Sequence, residues 1–281
     1  MRLSIVIPAR NEAAGIADVL QPLQALRSRG HEVILVDGGS EDETLQRAAA
    51  LVDRCLSAPP GRARQMNAGA AAASGDILWF LHADTRVAPA SDRILLAACG
   101  QTDCWGRFDV RLSGRQPLLR LVERLMNLRS RLTGIATGDQ GMFVTRELFE
   151  RVGGFPDIPL MEDIELSKRL RAVRRPLCLR QQVLTSSRRW EEQGRVPPSR
   201  DGNGFATRYA EDLAQLAELA RSEGRPEPWF VMSAEVLDGF GSWRQPERIL
   251  RRIEHAHISP RSAGGLQAAL TTGHAKSIAI G

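Results

Sequence analysis

The stretch Gly75-Asp76-Ile77-Leu78-Trp79-Phe80-Leu81-His82-Ala83-Asp84-Thr85 decides the fold. Its apolar run, Ile77 to Leu81, is too short for a lone helix, and polar or turn residues fence it on both sides. Such a run predicts a strand buried on both faces, as in the middle of a parallel sheet. Ligands of open α/β sheets collect at the carboxyl ends of the strands, and His82 and Asp84 stand there. Strand side chains alternate between faces, so these two share one. An Asp and a His so placed can hold a divalent cation and a sugar hydroxyl. The plainer reading of Asp84 is a loop carboxylate capping the next helix.

Working outward, Leu3 to Ile7 reads as a buried strand ended by Pro8. Asn11 is expected to cap a helix with Ile16, Val19, Leu20, Leu23 and Leu26 on its apolar face, bent at Pro22 and stopped by Gly30. A second strand, Glu32 to Val36, delivers Asp37 to its carboxyl end, and Ser40 with Glu43 matches a capping box for the next helix. Two strand–helix units in succession predict parallel strands joined by right-handed crossovers. Asp37 and Asp84 then face one crevice, where a carboxylate accepts hydrogen bonds from a ribose or a base edge. Asp37 also reads as a turn residue before the glycines. No G-x-G-x-x-G follows the first strand, which argues against a dinucleotide cofactor.

Between those strands, a helix from about Arg64 to Ser74 is rich enough in small residues to pack tightly on the sheet. Arg62 and Arg64 flank its N-terminus, where free N–H groups and the helix dipole already favour an anion such as a pyrophosphate.

The four elements just described, Ser4 to Glu12, Val36 to Ser40, Arg64 to Gly69 and His82-Ala83-Asp84, together resemble the nucleotide-binding elements of family 2 glycosyltransferases. The resemblance is to a bacterial subgroup of small enzymes of unassigned substrate, and it covers residues 1–194. It implies an α/β GT-A fold, Rossmann-like, with a mostly parallel sheet flanked by helices. It also implies an inverting transfer of a sugar from a nucleotide-diphosphate donor to an acceptor hydroxyl. On the donor side it places Pro8, Ala9, Asn11, Glu12, Asp37, Arg62, Arg64, Asn67, His82, Ala83 and Asp84. Asp84 matches the metal-binding second acid of the usual Asp-x-Asp, for Mn²⁺ or Mg²⁺, while His82 replaces the first acid.

Further along, Met161-Glu162-Asp163-Ile164-Glu165 opens an apolar-faced helix. Acidic residues there satisfy the helix dipole in any protein. By resemblance Asp163 is the catalytic base, with Glu162 its neighbour. One base suffices, because the leaving group is already a diphosphate. Thr137-Gly138-Asp139-Gln140-Gly141 precedes it, with Asp139 and Gln140 on the acceptor side. Arg188-Arg189-Trp190 resembles a closing motif in which Arg189 reaches the diphosphate and Trp190 stacks near the acceptor.

Composition narrows the partners. All but two of the 38 basic residues are arginine, the exceptions being Lys168 and Lys276. Arg107, Arg111, Arg115, Arg120, Arg124, Arg129 and Arg131 face only Asp109 and Glu123 in sequence, which suits phosphates, an anionic acceptor, an acidic membrane surface or simply a solvated helix face. Pro117 to Leu132 reads as a basic amphipathic helix. The acceptor is left open among glycan, lipid and small molecule, and no nucleic-acid partner is expected. Cys55, Cys99, Cys104 and Cys178 form no C-x-x-C pair and read as small buried hydrophobes of a reducing compartment. With no apolar run long enough to span a bilayer, the expectation is a cytoplasmic protein, in peripheral contact at most with the inner face of the membrane.

The glycosyltransferase domain is thus expected over residues 1–194, with a linker and a poorly patterned C-terminal appendage over 195–281. Two other functional classes compete. One is a nucleotidyltransferase, although Pro8-Ala9-Arg10-Asn11 lacks the glycine-rich loop that class carries. The other is a nucleotide- or polyanion-binding module of the same fold with impaired catalysis.

Overall fold

The computed structural model describes residues 1–100, 103–115, 117–158 and 161–187, and Met1–Ser186 form one compact unit. Strand β1 (Leu3–Ala9) is followed by helices α1 (Ile16–Leu20) and α2 (Gln24–Arg27), then β2 (Glu32–Asp37), α3 (Thr44–Ala48) and β3 (Arg54–Ser57). Next come α4 (Arg62–Ala72), β4 (Ile77–Phe80), β5 (Thr85–Arg86) and α5 (Ser91–Cys99). The second half holds β6 (Trp105–Leu112), α6 (Pro117–Thr133), β7 (Phe143–Thr145), α7 (Arg146–Arg151), α8 (Glu162–Val173) and β8 (Leu177–Thr185).

The eight strands form one sheet in the order β3-β2-β1-β4-β7-β6-β8-β5. β3, β2, β1 and β4 run parallel, as expected from the repeated strand–helix units. The far half is mixed. β7 lies antiparallel to β4 and β6, β6 pairs parallel with β8, and β5 closes the edge antiparallel to β8. Only Leu81 to Asp84 separate β4 from β5, yet β7, β6 and β8 lie between them in the sheet. The sheet therefore curls, and the His82-Ala83-Asp84 turn spans its mouth.

The central strand is buried throughout. Ile77, Trp79 and Leu81 join one apolar cluster with Ile16, Leu20 and Leu95, while Leu78 and Phe80 join the other with Met66, Leu148 and Leu166. This is the two-residue alternation of a strand covered on both faces. Trp79 stacks on Phe108 with centroids 5.0 Å apart, and Phe80 meets Phe155 edge-on at 4.8 Å. Full burial of side chains of this kind contributes roughly 1.5–3 kcal/mol each. Helix α4 comes so close to the sheet that a Cβ on Gly69 would stand 2.3 Å from Val6 Cγ1. Only glycine admits that approach.

Several local expectations are corrected. Asn11 does not cap a helix: it sits at φ 54°, its Oδ1 accepts the Glu41 N–H at 2.8 Å, and α1 starts only at Ile16. Pro22 does more than bend the helix, because a 3₁₀ turn over Gln21–Leu23 separates α1 from α2. Ser40 and Glu43 form no capping box, since α3 begins at Thr44 and the Ser40 hydroxyl donates to Asp37. The cysteines also differ from expectation. Cys99 and Cys104 are disulfide-bonded with Cα atoms 5.5 Å apart, Cys55 is exposed and Cys178 is half-buried.

Among the described residues no helix is long and apolar enough to cross a membrane. The residues expected to form an appendage, 195–281, lie outside the described part, as do Arg189 and Trp190.

Candidate active site

At the topological switch between β1 and β4, the carboxyl ends of β2, β1 and β4 open one crevice. Asp37 lies at its inner wall, 4% exposed. Its carboxylate accepts the backbone N–H groups of Gly39 at 3.0 Å and Ser40 at 3.0 Å, which fixes the loop after β2. Asn11 and Glu12 are tied to the same loop, through Asn11 N–H to Ser40 Oγ at 2.9 Å and Glu12 N–H to Thr44 Oγ1 at 2.8 Å. Pro8 is half-buried and Ala9 is buried. Sequence reasoning missed Gln65. Its buried amide donates to Ala9 O at 2.9 Å and Val36 O at 2.8 Å, stitching β1 to β2 where their ladder ends. A polar residue on the sheet-facing side of a helix of small residues was the available signal.

The first residue of α4, Arg62, donates from Nη1 to Glu162 Oε1 at 3.2 Å, and Glu162 is the first residue of α8. The N-termini of two helices thus meet across the crevice through one ion pair. Burial pushes the Glu162 carboxyl upward, the neighbouring Asp163 adds to the rise, and Arg62 opposes both. Arg64 is exposed and pairs with Asp157 at 2.9 Å. Asn67 is committed elsewhere: its amide exchanges both hydrogen bonds with the Phe155 backbone, at 2.8 and 3.0 Å.

His82 and Asp84 are half-buried, with Ala83 buried between them. Thr85 N–H donates to His82 O at 3.0 Å, and Ser186 N–H donates to Asp84 O at 3.1 Å, so both ends of the turn are held by backbone. Asp163 Oδ2 accepts the Gly138 N–H at 2.7 Å, and a Cβ on Gly138 would stand 2.2 Å from His82 Nε2. Gly138 is therefore the junction between the imidazole and the carboxylate expected to act as base. Sequence reasoning quoted Gly138 but gave it no role.

Met161, just before α8, adopts φ 66°, a left-handed conformation that is uncommon for a bulky side chain. It aims Glu162 and Asp163 into the crevice. Beside them, burial pushes the Asp139 carboxyl upward; the Thr137 hydroxyl, donating at 2.6 Å, pulls it down, and Asp163 adds to the rise. Gln140 is fully buried. Its Oε1 accepts the Thr137 N–H at 3.1 Å and its Nε2 donates to Asn127 Oδ1 at 3.3 Å, so its amide holds this loop.

No cluster of three or more His, Cys, Asp or Glu side chains suited to a metal occurs among the described residues. Asp84 offers a hard carboxylate that accepts no hydrogen bond among the described residues, and Mg²⁺ or Mn²⁺ bound to a nucleotide takes one or two carboxylates plus phosphate oxygens.

A curled α/β sheet with carboxylates at the ends of β2 and β4 and an acidic helix start opposite is the arrangement of a glycosyltransferase of the GT-A fold. Residues 4–151 match the family model described as glycosyl transferase family 2, and the chain belongs to that family. It is 29% identical over 194 residues to an uncharacterised glycosyltransferase of Mycobacterium tuberculosis, an alignment covering 63% of this chain and 72% of the relative. Among solved structures, the fold is shared with TarS of S. aureus in complex with UDP, with a TM-score of 0.58 and 17% identity over 97% of this chain and 88% of that one. It is also shared with the mannosyltransferase PcManGT of Pyrobaculum calidifontis, in complex with GDP-Man and Mn²⁺. There the TM-score is 0.56 at 19% identity, over 99% of this chain and 76% of that one. The family assignment sets aside the nucleotidyltransferase alternative.

Proposed function

We propose that the chain moves a sugar from a nucleotide-diphosphate donor to an acceptor hydroxyl with inversion at the anomeric carbon. The observation that carries this reading is the meeting of Asp163 with the His82-Ala83-Asp84 turn through Gly138. Asp37 and the Asn11 loop take the nucleoside. Arg62, at the free N–H groups of α4, takes the diphosphate. Asp163 removes the acceptor proton, and the Gly138 N–H keeps its carboxylate aimed. Asp84 would hold a divalent cation, whose contribution when bound is to offset charge on the departing diphosphate. TarS with UDP and PcManGT with GDP-Man and Mn²⁺ support both the donor class and the metal.

We propose α6 as a peripheral membrane contact of the protein. In support, Leu128 and Leu132 are 48% and 71% exposed on that helix and lie beside the exposed Arg124 and Arg131.

The deciding experiment titrates the full chain with UDP and GDP, with and without Mn²⁺. Product formed from the matching sugar nucleotide is then analysed by NMR for anomeric configuration. Metal-dependent nucleotide binding with inverted product is expected. Binding indifferent to metal, or retained configuration, would overturn the mechanism.

A further inference from the structure

The arginines clustered between β6 and α6 divide into two groups. Arg107 is fully buried, donates to Ser130 Oγ at 2.9 Å and Asn127 O at 3.0 Å, and pairs with Asp109. Arg131 pairs with Asp109 at 2.6 Å, and Arg120 with Glu123 at 3.0 Å. These three hold the fold. Arg129 is different. Its Nε and Nη2 are buried with no hydrogen-bond partner among the described residues, and it forms no salt bridge there.

A guanidinium is always charged, and leaving its donors buried and unanswered costs more than an ordinary unmade hydrogen bond. Such a cost is retained where a ligand answers it. The position of Arg129 says which ligand. It lies within electrostatic reach of Asp139, on the loop that Gln140 Nε2 fastens to Asn127 Oδ1 of the same helix at 3.3 Å, which puts it on the acceptor side. Two N–H groups of one guanidinium without a partner among the described residues fit an oxyanion in bidentate geometry.

We propose that Arg129 binds an anionic group of the acceptor, a phosphate monoester or carboxylate on the molecule whose hydroxyl is glycosylated. The inference deepens the reading of the site as a glycosyltransferase and rests on it. It also separates the two oxyanions of the reaction. The donor diphosphate belongs to Arg62 and the α4 N-terminus, and the acceptor's charge belongs to Arg129.

The test uses the full chain and two probes. Inorganic phosphate is titrated by calorimetry into wild type already saturated with nucleoside diphosphate and Mn²⁺. Nucleoside diphosphate is titrated separately without phosphate. Phosphate should still bind, and Arg129→Gln should weaken it at least tenfold while nucleotide affinity changes less than twofold. Arg129→Lys keeps the charge and loses the fork, and should fall between the two. If wild type saturated with nucleotide takes no phosphate, the proposal is overturned whatever the variants do. Equal phosphate binding by wild type and Arg129→Gln also overturns it, as does a parallel loss of both probes in a folded variant. Failure of the nucleotide arm alone would instead strike at the donor site, since phosphate can then be titrated into the free protein. Glycerol 3-phosphate and a short polyprenyl phosphate in detergent, run as competitors, distinguish a soluble acceptor from a lipid one.

Discussion

Asp163 and Gly138 are joined by a 2.7 Å hydrogen bond from the Gly138 amide to Asp163 Oδ2. Asp163 belongs to the first turn of α8, Gly138 to the loop before β7. The bond therefore ties the carboxylate proposed as base to the loop that touches His82, and the two sides of the proposed site share one stretch of backbone.

For the proposed base, Asp163→Asn keeps an oxygen that can accept the Gly138 N–H but cannot take a proton at neutral pH. Transfer should drop by roughly two to four orders of magnitude, while nucleotide affinity stays near wild type. Glu162→Gln should be milder. Steady-state kinetics beside calorimetry reads both. An active Asp163→Asn enzyme with a dead Glu162→Gln enzyme would move the base to the neighbouring carboxylate.

At the junction, Gly138→Ala introduces a methyl where His82 Nε2 leaves only 2.2 Å. The loop and the imidazole must part, at a cost of about 1–3 kcal/mol for such overpacking. Urea unfolding should show that loss, and metal-dependent nucleotide binding should weaken with it. Unchanged stability and binding would mean that the contact yields freely.

On the donor side, Asp84→Ala should remove the metal dependence of nucleotide binding while leaving the metal-free affinity in place. Arg64→Ala should barely alter the melting temperature, because its partner Asp157 is as exposed as it is. Whether Arg64 also loosens diphosphates more than nucleosides decides its place in the donor site, and calorimetry with uridine and UDP measures this.

Far from the site, His31 supplies a pH dependence of stability. Its Nδ1 accepts the Leu3 N–H at 3.2 Å, leaving Nε2 to donate to Asp92. Burial lowers the His31 value below the ordinary 6.5, against the pull of Asp92. The unfolded chain therefore binds a proton first as pH falls. This contribution is fully present above 6.5 and is lost as pH drops through that value toward the folded one. Urea midpoints at pH 7.5 and 5.5 should differ more for wild type than for His31→Gln. An identical pH response would assign the effect to other groups.

The parallel half of the sheet was legible because each of its strands is a local signal, an apolar run ended by a turn, and Ile77 to Phe80 is the strongest. So were the positions of Asp37 and Asp84, which follow from where the strands end. What stayed illegible is what long-range packing decides. The contact of His82 with Gly138 joins loops far apart in the chain, and no spacing announces it. Asn11 took a left-handed conformation because the loop after β2 offered its side chain a better partner, Glu41, than a helix N-terminus would. Cys99 and Cys104 are joined by a disulfide, a proximity their spacing alone did not specify. The arginine cluster illustrates the same limit, because sequence counts charges and only structure shows which are already neutralised.

The Arg62–Glu162 pair at 3.2 Å has a thermodynamic consequence. Arg62, together with a backbone hydrogen bond at Glu162 itself, keeps the Glu162 carboxyl from rising further. A diphosphate that recruits Arg62 withdraws that support and brings negative charge of its own, so Glu162 gains affinity for a proton as the donor arrives. Nucleotide binding then consumes hydrogen ions from the buffer, and the heat measured for it should vary with the buffer's own enthalpy of ionisation.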